Sequence, residues 1–200
     1  MINYRMAGAG FNIVSLSYLF SRLSPFIIVM YFILQSIFNQ NLKGIFYVAG
    51  VLLACFLNIV LVGDSLGSPA GVENPVCKII DGMPELPIGQ TILGFTFAYL
   101  SYIIIVHKLL NTNSATFVIF PILIISDLVW NNSNKCAPPI ALITSLAIGS
   151  VFGVLWGMII DRVDPELQFF NGIGNKDICK RPSSTLYKCT VIPKKDMAKV

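Results

Sequence analysis

Five stretches of this 200-residue chain carry no Asp, Glu, Lys or Arg: residues 23–42, 44–63, 86–106, 109–126 and 137–160, which are 20, 20, 21, 18 and 24 residues long. A helix rises ~1.5 Å per residue, so about 20 apolar residues cross a ~30 Å hydrocarbon core. Only 12% of the chain is charged, 55% is hydrophobic and the mean hydropathy is +0.75, whereas a water-soluble domain carries roughly a quarter charged residues. The expectation is an all-α polytopic membrane bundle of about five transmembrane helices, with spans at 23–42, 44–63, 86–106, 109–130 and 137–160. Residues 1–160 form the bundle, and 161–200 form a polar C-terminal tail.

The segment before Arg22 has no small-residue cleavage site after a compact apolar run and does not read as a removed signal peptide. Ser24-Pro25 reads as the opening of span one, where a proline costs no intrahelical hydrogen bond. A polar link at 39–43 makes spans one and two an antiparallel hairpin. Residues 64–85 are rich in Gly, Pro and acid and read as an irregular loop. Pro121 and the polar flanks of span four suggest a kinked or partly re-entrant helix. In span five Gly149, Gly153 and Gly157 recur every four residues, the small-residue face on which helices approach closely in lipid. In the tail, residues 184–192 have the β-branched, aromatic, alternating character of one strand, so the tail is read as partly β-like.

Five spans place Arg5, Arg22, Lys78 and Lys135 on one side, and Lys43, Lys108 and the basic residues of the tail on the other. Positive charge gathers on the cytosolic side, so the tail should face the cytosol.

Few residues invite chemistry. His107 is the only histidine, which excludes multi-histidine metal sites, and it sits at a span exit where it reads as a polar flank. Asp127 is the one acid within a span, and two readings stand: a hydrated helix end near Trp130, or a buried polar contact. Cys77 and Cys136 fall on one expected side, Cys179 and Cys189 lie together in the tail, and Cys55 is within span two. Bridges Cys77–Cys136 and Cys179–Cys189 are candidates, with free thiols the alternative; zinc on Cys179, Cys189 and His107 would lack a ligand. Asn131-Asn132-Ser133 is a glycosylation sequon placed against Trp130, where a transferase would reach it poorly. The tail's basic residues are diluted by acids, which excludes nucleic acid as a partner and leaves a mild attraction to acidic lipid or protein. No cofactor is expected.

Pro87-Ile88-Gly89-Gln90-Thr91, opening a helix, resembles the Pro-Ser-Gly-His-Thr motif of the type 2 phosphatidic acid phosphatase family. Ser133-Asn134, followed after five residues by Ile140 and after three more by Thr144, is similar in spacing to that family's Ser-Arg-x5-His-x3-Asp. Gln90, Asn134, Ile140 and Thr144 stand where the motifs need histidine, arginine, histidine and aspartate. With no nucleophile and no phosphate clamp, the resemblance implies a catalytically dead relative and not an enzyme.

The tail run Cys179-Lys180-Arg181-Pro182-Ser183 with Leu186-Tyr187-Lys188-Cys189-Thr190-Val191 resembles tails of membrane proteins from large DNA viruses of algae and protists. Such virions hold a bilayer beneath an icosahedral capsid and commonly bring their own thiol oxidase. The resemblance implies a structural protein of the virion's internal membrane, whose tail and 64–85 loop contact capsid or neighbouring membrane proteins. Two alternatives stay open: a small transporter or channel subunit using Asp127, or a lipid enzyme with a divalent ion on Asp64, Asp81 and Glu85.

Overall fold

In a computed structural model the described residues are 13–66, 87–164 and 167–169, with the side chains of 13–22 and 63–66 excepted. They are helical with no strand: α1 Ile13–Phe38, α2 Lys43–Leu66, α3 Ile88–Val106, the single turn α4 Leu110–Asn113, α5 Thr116–Ser133 and α6 Pro139–Val163. Four segments, Lys43–Val62, Ile88–Val106, Thr116–Ser133 and Pro139–Val163, are long and apolar enough to cross a membrane. The apolar stretch of α1, Leu23–Phe38, is shorter. Four such helices are consistent with a multi-pass membrane protein.

α3 is the hub. Two thirds of its residues (67%) are buried, against 22–33% for the other three long spans. Leu93, Phe95, Tyr99, Ile103 and Ile104 are enclosed by its neighbours. The surrounding helices are apolar on both faces: α2 turns Tyr47, Val51 and Ala54 inward and leaves Leu52, Phe56 and Val60 exposed. Exposed apolar side chains on α1, α2, α5 and α6 form the surface that lipid would cover.

Glycine sets how closely the helices approach. A Cβ on Gly149 would fall on the Thr91 carbonyl, one on Gly153 on the Phe95 carbonyl, and one on Gly157 would come within 2.8 Å of Tyr102 Cδ1. The two numberings rise together, so α3 and α6 run parallel, backbone against backbone. On the other side of the seam Gly94 faces the Leu146 carbonyl at 2.7 Å. Where α2 crosses, a Cβ on Gly50 would lie 2.6 Å from Trp156 Nε1, whose indole N–H donates to the Phe46 carbonyl across 3.0 Å. Tyr47 and Thr96 share a hydroxyl hydrogen bond of 2.6 Å.

The helices end in a repeated way. Gln40, Lys108 and Lys135 have φ of 50°, 56° and 55°. In each case the next N–H bonds five residues back, Asn41 to Ser36, Leu109 to Ile104 and Cys136 to Asn131. These are Schellman stops built on non-glycine residues.

Several sequence expectations are corrected. Pro25 does not open a helix: α1 begins by Ile13, and Pro25 lies within it, its ring facing Gly89 of α3. Span four does not start at 109, because the turn α4 precedes it and α5 begins at Thr116. α5 then runs as one continuous helix through Pro121, its sixth residue. α6 continues to Val163, so Asp161 and Arg162 belong to its last turn and not to a free tail. The strand-like run at 184–192 and most of the 64–85 loop lie outside the described residues.

Candidate functional site

Buried polar side chains collect at the two ends of the bundle. At the end where α3 begins and α5 finishes, Asp127 is 3% exposed. Gln90, fully enclosed on the first turn of α3, donates from Nε2 to Asp127 Oδ2 at 2.8 Å and to the Ile124 carbonyl at 3.2 Å. Asn131, one turn along α5, donates to the Asp127 carbonyl at 2.8 Å and is itself buried. The structure therefore gives Asp127 a buried polar contact, and the hydrated helix end is set aside. Gly89 borders the same group: a Cβ there would lie in ordinary contact with Asp127 Oδ2, at 3.7 Å.

At the opposite end Asp161, in the last turn of α6, gathers three groups. His107 Nε2 lies 3.2 Å from its Oδ1, Gln168 Nε2 donates to the same oxygen at 3.0 Å, and the Tyr102 hydroxyl donates to Oδ2 at 3.5 Å. His107 is thus more than a polar flank. It helps tie α3 to the point where the chain leaves α6, and Phe169 just beyond packs edge-on against Phe32 with ring centroids 4.2 Å apart. No local pattern marks this group: Asp161 stands where the last apolar run ends, and the signal in the sequence is an acid and a histidine at the ends of two neighbouring spans.

The positions similar to the phosphatase motifs do not face one cavity. Gln90 is enclosed in the bundle, whereas Ile140 is 63% exposed on the outer face of α6. Thr144 bonds back to the Ile140 carbonyl at 2.8 Å, and Asn134 caps α5 through the Trp130 carbonyl at 2.9 Å. The sequon asparagine, Asn131, is buried with its amide nitrogen already donating. No cluster of three His, Cys, Asp or Glu able to hold a metal occurs among the described residues. Asp81 and Glu85 lie outside them, as does the Asp64 side chain.

Cys136 is buried at the start of the turn into α6, and Cys55 is a free, half-buried thiol on α2. Cys77, Cys179 and Cys189 lie outside the described residues. Gly149, Gly153 and Gly157 lie on the α3 contact already described.

No family model, no curated protein and no solved structure matches the chain.

Proposed function

We propose that the chain is a non-enzymatic multi-pass membrane structural protein, an anchor in which α1 makes the fifth crossing and the residues after α6 hold capsid or other membrane proteins to the bilayer. The observation that carries this reading is how the root of the tail is fastened. Leu167 and Phe169 pack onto the apolar core, Gln168 bonds to Asp161, and Asp161 is braced by His107 and Tyr102. A tail so rooted leaves the bundle at a fixed place and angle, whereas a freely hinged one would transmit tension but no orientation.

The interior supports the same reading. The α3–α6 seam devotes its closest approaches to backbone packing, and Gln90 and Asp127 satisfy one another in the way that polar groups join helices in lipid. Lys43, Lys108 and Arg162 gather at the end from which the tail leaves, which favours a cytosolic tail. Placement in a virion's internal membrane rests on the tail's similarity to viral membrane proteins. In that setting Cys77 pairs with Cys136 and Cys179 with Cys189, the 64–85 loop being a second contact surface. Quantitative mass spectrometry of purified particles tests the placement. A fixed copy number per particle with both bridges present is expected; presence in cellular membranes at trace level only would contradict it.

A second reading, a small transporter or channel subunit, is favoured by Asn58, Thr91 and Ser145, polar side chains buried where α2, α3 and α6 meet. In proteoliposomes the anchor reading expects no solute flux above empty vesicles, and flux abolished by Asp127→Asn would shift the assignment.

A further inference from the structure

An unpaired amide is costly inside an apolar bundle, where lipid offers no hydrogen bond. Asn58 on α2 is fully buried, yet neither its Nδ2 nor its Oδ1 has a partner among the described residues. Thr91 Oγ1 on α3 and Ser145 Oγ on α6 are equally enclosed and equally unpartnered.

Helix register places the three within about one turn of one another along the bundle. A Cβ on Gly50 would lie 2.7 Å from Phe95 Cζ, and Gly153 faces the Phe95 carbonyl, so these three residues share one level of the bundle. Gly149 faces the Thr91 carbonyl, one turn nearer the start of α3. α2 runs against α3 and α6, so two turns past Gly50 and two turns before Gly153 reach the same level, and these positions are Asn58 and Ser145. Side chains lean toward the N-terminus of their own helix. Asn58 therefore leans back toward Thr91, and Thr91 leans toward Asn58. All three lie on inward faces, Asn58 in line with Val51 and Ala54, Ser145 in line with Gly149 and Gly153.

We propose that Asn58, Thr91 and Ser145 form a buried hydration site, in which bound water bridges the amide of α2 to the hydroxyls of α3 and α6. An amide with two donors and an acceptor, set beside two hydroxyls, offers the several partners that an internal water requires. The site lies one turn beyond Gly149, toward the start of α6. It serves as the polar continuation of the glycine seam, holding α2 in register.

Water-edited solid-state NMR of the full chain in lipid bilayers, with 15N-asparagine, reads the site directly. Magnetisation should pass from water to the Asn58 side-chain amide, with exposed Asn132 as the internal standard, and should fall several-fold at Asn58 in a Thr91→Val, Ser145→Ala double variant. Thermal unfolding adds a second reading. Ser145→Ala should lower Tm in the wild-type background and leave it unchanged in an Asn58→Leu background, because the shared water is already gone. A dry Asn58 amide beside a hydrated Asn132, or Tm changes that simply add, would overturn the proposal.

Discussion

Gln90 and Asp127, 37 positions apart in the chain, meet side chain to side chain inside the bundle across 2.8 Å. The bond joins the first turn of α3 to the last turns of α5, and Asn131 closes the same group from below. Replacing Gln90 by leucine leaves an acid buried with one donor removed. We expect a loss of about 1 to 3 kcal/mol in reversible unfolding in detergent micelles. Gln90→Glu should cost more, since it sets a second carboxyl against the first.

The glycine seam predicts a ranking. Gly149 and Gly153 lie against backbone carbonyls of α3, which cannot yield without moving a helix, whereas Gly157 lies against the Tyr102 ring. Alanine at 149 or 153 should destabilise by roughly 2 kcal/mol or more, the usual scale for overpacking a tight core. Gly157→Ala should be milder, because a ring at the edge of the bundle can turn. Unfolding of the three variants side by side gives the order, and equal effects would place the seam elsewhere.

Gln40 offers a stabilising change. Its φ of 50° is a left-handed conformation that glycine adopts without a Cβ penalty. Gln40→Gly should raise stability by about 0.5 to 1 kcal/mol, measured by the same unfolding assay, with the α1–α2 hairpin otherwise unchanged. The neighbouring Ser36 already holds the turn: its hydroxyl accepts from the Gly44 N–H at 3.0 Å and donates to the Asn41 carbonyl.

How much of this was legible in the sequence varies with the physics involved. Charge-free length marked the helices that became α2, α3 and α6, because burying charge in lipid is costly enough to leave long gaps. The four-residue spacing of Gly149, Gly153 and Gly157 marked a packing face for the same kind of reason, since little else justifies three small residues in register. Helix ends were harder. Gln40, Lys108 and Lys135 stop α1, α3 and α5 without glycine, and the start of α5 and the end of α6 lie several residues from the limits of their charge-free stretches. The polar contacts were least legible. In the sequence Gln90 is marked only by its motif position, Asn58 by nothing, and Asp161 only by the end of an apolar run, because pairing across helices depends on rotation and register that no local pattern records.

The central claim is that the bundle holds the membrane and the tail holds the neighbours. Its most direct test is a truncation placed where the structure says the bundle ends. Cutting after Arg162 would remove Gln168 and Phe169, which pack on the core, and would confuse folding with attachment. Cutting after Phe169 spares them. Native gel electrophoresis of mildly solubilised membranes should show the full chain in a large assembly and the 1–169 chain inserted and equally stable but largely lost from that assembly, since only the 64–85 loop remains to hold it. A 1–169 chain that still enters the large assembly in full yield would contradict the account.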